Sequence, residues 1–192
     1  FFSSRRRHTR FRNVTGVQTC ALPICERATY TYLELLEAVK RVAAALRGLG
    51  VGKGDRITVY MPTCPEAIML MLATVRIGAM HSVVFAGFGA NALGDRLAAS
   101  GSKALFTADV TYRKGKDVAL GPIVDDAMKA GGRSVEHLVT WTRGDPASWD
   151  AFLARGVGQS SDVERMESNE PDRKSTRLNS SHVSESRMPS SA

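Results

Sequence analysis

Apolar residues recur every three or four positions early in the chain, at Leu35, Val39, Val42, Leu46 and Leu49. That spacing predicts a helix with one buried stripe. Thr31-Tyr-Leu-Glu34 opens it with a capping-box pattern, in which a hydroxyl and a carboxylate each satisfy a backbone N–H of the first turn. Gly48 and Gly50 stop it. Short runs of strand length follow at Ile57–Met61, His81–Phe85, Lys103–Ala108 and His137–Trp141. Between them the pattern predicts helices over Glu66–Gly78 (started by Pro62 and Pro65), Asn91–Ala99 and Ile123–Lys129, and a short one over Trp149–Leu153. Asp109–Lys116 is expected as a polar loop and Gly156–Glu170 as a polar connection. Strands that alternate with helices imply parallel β-α units joined by right-handed connections. The fold class is therefore α/β: a partial layered domain with a mainly parallel sheet and covering helices.

The two ends follow a different logic. Each residue from Ser4 to Ile24 pairs with the residue whose number brings the sum to 196, and all 21 pairs can be encoded by reverse-complementary codons. Val14–Ile24 and Asp172–His182 also look like translated short-read sequencing adapter. The expectation is that residues 1–24 and 172–192 are disordered artefactual tails, and that Cys25–Pro171 carries the evolved structure.

This division changes the meaning of the charge. The chain has a formal net charge of +7, and the two ends hold nine Lys/Arg against two Asp/Glu, whereas residues 25–171 hold 17 of each sign. The basic excess thus makes no case for a nucleic-acid or membrane partner. No apolar run is long enough to span a bilayer. Cys20 and Cys25 fall in or beside the N-terminal tail, leaving Cys64, so neither a disulfide framework nor a metal cluster is expected and a cytoplasmic setting is favoured.

Candidate chemistry is sparse. Gly48-Leu-Gly-Val-Gly-Lys-Gly-Asp55 superficially resembles a phosphate loop, but Gly54 stands where a magnesium-binding hydroxyl is needed, so it reads as a helix stop and turn. Ser100-Gly-Ser-Lys103 ends a helix instead of beginning one, and is expected as a surface turn. His81 is expected to be structural, Trp141 and Trp149 to pack, and the adjacent Asp125 and Asp126 to share no face for a metal. Tyr112-Arg113-Lys114-Gly115-Lys116 differs from these. It sets three cations around a glycine on the C-terminal side of a strand, the edge where open α/β sheets hold ligands.

Several blocks together resemble the start of AMP-forming acyl-CoA synthetases: Tyr30–Glu34, Gly50–Asp55, Val59–Pro62 and Pro65-Glu-Ala67. Arg76-Ile-Gly-Ala79 with His81-Ser-Val-Val-Phe85 and Gly87-Phe88 is similar to the acetyl-CoA and propionyl-CoA synthetase branch, as are Ser134–His137 and Glu170-Pro171. The family usually has Gly at the position of Ala86, Ser at that of Gly89, and often R-x-G-R where Arg113–Lys116 stands. Lys116 keeps the charge but not the bidentate fork.

The resemblance implies a two-step reaction on small molecules. A short carboxylate attacks the α-phosphate of ATP, with Mg2+ accompanying the nucleotide, to give an acyl-adenylate and pyrophosphate. The thiol of coenzyme A then displaces AMP. For acetate this is an acetate-CoA ligase. The resemblance places the coenzyme's phosphates at Arg113, Lys114, Gly115 and Lys116, and the Ser/Thr/Gly-rich phosphate loop, the adenine and carboxylate pockets and a C-terminal lysine beyond residue 171. On this reading residues 25–171 are a partial N-terminal domain with no catalytic and no metal-binding residue, inactive by itself. A propionyl-CoA or other short-chain synthetase, and a stand-alone α/β CoA- or nucleotide-binding module, remain as alternatives.

If the tails are foreign, deleting residues 1–24 and 172–192 leaves thermal stability unchanged or raised; a loss above about 1 kcal/mol, the scale of an ordinary single substitution, contradicts the assignment.

Overall fold

The computed structural model describes residues 16–21, 26–113 and 116–167. Strands β1 (Gly16–Ala21) and β2 (Glu26–Thr31) form an antiparallel pair, with Val17 opposite Tyr30. Most of the N-terminal tail lies outside the described residues, as does all of 172–192. Its described part, β1, is nevertheless extended and paired, where no structure was expected. The β-branched Val17 and Thr19 suit that conformation.

Helix α1 (Tyr32–Gly48) starts as its sequence dictates. The Thr31 hydroxyl accepts from the Glu34 N–H at 3.2 Å, and the Thr31 N–H donates to the Glu34 carboxylate at 2.7 Å. Those donors hold the Glu34 carboxyl below the usual range. The helix ends in a turn that needs a glycine, since Gly50 has φ 74°. The Asp55 carboxylate accepts the Gly52 N–H at 2.9 Å, closing the turn. The phosphate-loop lookalike is thus the stop-and-turn expected of it.

The chain continues through β3 (Arg56–Tyr60), α2 (Pro65–Arg76), β4 (Met80–Val83), α3 (Ala90–Ser100) and β5 (Ala104–Ala108). After these come β6 (Val110–Arg113), β7 (Lys116–Ala119), α4 (Gly121–Gly131), β8 (His137–Trp141) and α5 (Pro146–Leu153). Strands β3, β4, β5 and β8 form a parallel four-stranded sheet in the order β4-β3-β5-β8. Alternation along β3 sends Ile57 and Val59 to one face and Thr58 and Tyr60 to the other. The first face packs under α1, α2 and α5 with Phe106, Trp149 and Phe152. The second packs under α3 and α4 with Leu93, Leu97, Leu105 and Val124.

Two regions depart from the sequence reading. Asp109–Lys116 is not a loop: β6 and β7 form an antiparallel hairpin with Arg113 opposite Lys116. Val110-Thr-Tyr112 supplies the β-formers for the first strand of the pair. The Ser100–Lys103 turn is not on the surface either. Ser100 and Ser102 are buried, and the Ser102 hydroxyl lies 2.7 Å from both the Ser100 and the buried Thr58 hydroxyls. Three hydroxyls satisfy one another beneath α3, which spares each the cost of an unmade hydrogen bond.

The polar connection after α5 is docked. Arg47 Nη1 donates to the Ser160 carbonyl at 2.8 Å, Arg76 Nε to the Ser161 carbonyl at 2.8 Å, and Lys53 Nζ to the Arg165 carbonyl at 3.2 Å. These residues end α1, end α2 and precede β3, so the connection crosses the amino-terminal end of the sheet. On the edge strands Val83 is 51% and Leu138 47% exposed.

Helices α3 and α4 meet at glycines: a β-carbon on Gly131 would collide with the Gly94 carbonyl. Gly131→Ala is expected to cost about 1–3 kcal/mol, the range for overpacking. Urea titration should show a lower midpoint at unchanged slope. Gly121→Ala, where the added carbon meets nothing within 4 Å, should leave the midpoint in place.

Candidate functional site

The order β4-β3-β5-β8 contains one reversal. From β3 the chain crosses to β4 on one side, then returns over β3 to β5 on the other. At such a point the segments leaving two neighbouring strands diverge and open a crevice beyond their carboxyl ends. A cleft of about 360 Å3 lies there. Met61–Cys64 leave β3, Phe85 and Ala86 leave β4, Val110–Tyr112 follow β5, and Trp141 and Arg143 follow β8. All four strands of the sheet therefore contribute to one wall or another.

Each wall is fixed by a definable contact. The buried Tyr60, last in β3, donates its hydroxyl to the Phe88 carbonyl at 2.6 Å, holding the loop after β4. Burial also pushes the Tyr60 hydroxyl's pKa up, keeping it a donor. Phe85 and Phe88 meet edge to face at 5.8 Å, and the Arg96 guanidinium lies 4.6 Å from the Phe88 ring centre. Gly87 permits this turn, since a β-carbon there would strike the Phe85 ring. Phe85 remains 67% exposed at the cleft, available to a flat ligand.

The hairpin wall is fixed by Asp109. Its carboxylate Oδ1 accepts from the Val110 N–H at 2.8 Å and from the Arg143 N–H at 3.3 Å. Its backbone N–H donates to the Trp141 carbonyl at 3.0 Å, and its carbonyl accepts from Leu120 at 2.9 Å. The Arg143 guanidinium sits 4.9 Å from the Tyr112 ring centre. Helix α2 points its amino end into the cleft with Pro65 in its first turn, so the helix dipole favours an anion there.

The sequence candidates divide accordingly. Arg113 closes β6 opposite Lys116, which is exposed at the start of β7; Lys114 and Gly115 lie outside the described residues. Arg113 and Lys116 are therefore the last described pair of the hairpin whose first strand walls the cleft. His81 is buried on β4 and does not line the cleft. Trp149 packs against Phe152 as expected, but Trp141 does more than pack: it also lines the cleft. Asp126 pairs with Lys129 at 3.0 Å on the surface of α4. Phe85, Thr63 and Arg143 were not singled out as cleft residues from the sequence. Their common signal is position, each lying just past the carboxyl end of a strand.

No three His, Cys, Asp or Glu side chains converge as a metal site among the described residues. The described residues therefore offer no ligand set for the magnesium expected to accompany ATP. No helix of the described residues is long and apolar enough to cross a membrane.

Residues 10–178 match the family described as AMP-binding enzyme. A 3-hydroxypropionyl-coenzyme A synthetase of Metallosphaera sedula is 46% identical over 157 residues, covering 76% of this chain and 23% of the relative. An acetyl-coenzyme A synthetase of Deinococcus radiodurans is 50% identical over 125 residues, covering 65% of this chain and 19% of the relative. Among solved structures, an acetoacetyl-CoA synthetase from Streptomyces lividans aligns with a TM-score of 0.67 at 26% identity, over 77% of this chain and 23% of that one. The chain spans about a fifth of the length of these relatives.

Cys64 lines the cleft but is buried, and burial pushes its thiol up to about 12. A thiol held protonated is a poor nucleophile. Iodoacetamide at pH 8, read peptide by peptide, should modify Cys64 at least about tenfold more slowly in the folded chain than in urea, since about one pKa unit is a tenfold change in thiolate. Equal rates would mean that the thiol is accessible and ionisable.

Proposed function

The chain belongs to the AMP-binding enzyme family, and from that premise we propose that it is an N-terminal part of a short-chain acyl-CoA synthetase that supplies the binding surface for the phosphates of coenzyme A. The observation that supports this reading is that β6, which ends at Arg113 opposite Lys116, walls a cleft at the sheet's reversal point. The cations Arg113 and Lys116, an exposed aromatic at Phe85 and the amino end of α2 are complementary to an anionic nucleotide.

In the longer protein the carboxylate oxygen would form a bond to the α-phosphorus of ATP as the bond to the β-phosphate oxygen breaks, releasing pyrophosphate. The coenzyme thiol, losing its proton, would then form a bond to the acyl carbon, and the C–O bond to AMP would break. The residues of this chain take no bonding part in either step. They bind and orient the coenzyme, which enters only for the second.

Relatives named for acetate and for 3-hydroxypropionate both support a short acid as the carboxylate; acetate is the reading favoured here. This assignment treats residues 25–171 as the native stretch, although the family match runs from 10 to 178. It places the protein in the cytoplasm, where its small-molecule substrates are, and calls for no nucleic acid or membrane.

In the longer protein, Arg113→Ala is expected to raise the KM for coenzyme A roughly tenfold, because a charge-assisted hydrogen bond is worth about 1.5–3 kcal/mol and about 1.4 kcal/mol is tenfold. Lys116→Ala should act the same way but more weakly, being exposed and a point charge. Acid-dependent pyrophosphate exchange, which reports adenylate formation alone, should stay near wild type in both. Equal damage to both half-reactions would make the hairpin structural and the coenzyme assignment wrong.

A further inference from the structure

Several hydrogen bonds fix the β6–β7 hairpin at its root. Asp109 joins the end of β5 to Val110, Trp141, Arg143 and Leu120. Beyond that point β6 and β7 pair with each other, and neither belongs to the main sheet. The hairpin's root is packed, with Thr111 buried, but a two-stranded ribbon is marginal by itself and needs further support to hold its direction. Further along, Tyr112 turns back toward the body of the protein, and the Arg143 guanidinium covers its ring at 4.9 Å. Arg143 is well placed for this, because its own backbone N–H is held by the Asp109 carboxylate. The Asp109 root and the Arg143 stack thus form two points of attachment, which fix a direction where one would leave a pivot.

We propose that Arg143 is a positioning residue: seated on Tyr112, it fixes the tilt of the β6–β7 hairpin and so holds β6, which ends at Arg113 opposite Lys116, against the cleft. Tyr112 stands directly before Arg113 and opposite Asp117, next to the Arg113–Lys116 pair. Any swing of the ring is therefore passed to the cations one residue on. This inference rests on the coenzyme reading for its consequence, but the latch itself is a statement about the hairpin and is measured separately.

Hydrogen exchange on the 192-residue chain tests the latch without a ligand. Arg143→Ala and Tyr112→Leu should each speed amide exchange across residues 110–119 by about two- to fivefold, the change that loss of an exposed cation–π contact implies. Exchange in β3 and β5 should not change. The double variant should be no faster than Arg143→Ala alone, since the stack is already lost there. Arg143→Lys, which keeps a cation for the ring, should stay within about twofold of wild type. Calorimetric titration with coenzyme A should follow the same order, with weaker binding for Arg143→Ala and near-native binding for Arg143→Lys. Unchanged hairpin exchange in Arg143→Ala, additive effects in the double variant, or an acceleration spread evenly over the sheet would each overturn the proposal. Faster hairpin exchange together with coenzyme binding indifferent to Arg113→Ala supports the latch and removes the coenzyme reading instead.

Discussion

The parallel pairing of β3 with neighbours on both sides is the constraint from which the other features follow. Its residues Ile57–Tyr60 are buried on both faces of the sheet. A parallel neighbour needs a crossover, and crossovers turn right-handed. Stepping to β4 therefore places α2 on one face, and stepping back over β3 to β5 places α3 on the other. The two apolar clusters, one under α1 and α2 and one under α3 and α4, are the product of that single change of direction. Burying a large aliphatic side chain contributes about 1.5–3 kcal/mol, so helices on both faces are what make so short a sheet stable.

The same reversal leaves a crevice beyond the carboxyl ends of the strands. It forms because backbones part, which makes it independent of any one side chain. Side chains then decide what it accepts. Tyr60 and Asp109 are the two that hold its rims, one through a hydroxyl to the Phe88 carbonyl and one through a carboxylate shared by two backbone donors. Neither is a chemical participant. Each converts a mobile loop into a wall whose position is set by the sheet.

The opposite end of the sheet shows a second use of helix termini. Arg47 and Arg76 lie in the last turns of α1 and α2, where a cation favours the helix dipole. Both guanidiniums also donate to carbonyls of the 160–162 segment, which makes no strand and needs donors for its backbone. Glu164 completes the dock by donating its N–H to the Arg76 carbonyl at 2.9 Å. A stretch with almost no apolar residues is thus ordered by polar contacts to helix ends that already favour positive charge.

The helices, the four sheet strands and the α/β class were legible because they depend on periodicity, caps and local chain stiffness. Thr31 and Glu34 predicted a cap that forms as written, and Gly50 a turn that requires positive φ. The Arg113–Lys116 cluster was legible as a candidate because charge beside a strand end is a local property. The hairpin was not, since Val110–Tyr112 finds its partner only once β7 folds back on it. Ser100 and Ser102 looked like surface residues because hydroxyls are polar; Ser100 finds the Leu97 carbonyl and Ser102 locally, and the approach of Thr58 from β3 completes the set at Ser102, which makes burial tolerable. Arg143 carried no local signal beyond its place just past a strand end. Its place on Tyr112 exists because β8 lies beside β5, and strand order is set by the packing of whole elements and not by any window of the chain. What the sequence determined by itself was each element and its buried face; which loops share a cleft was decided by the sheet that joined them.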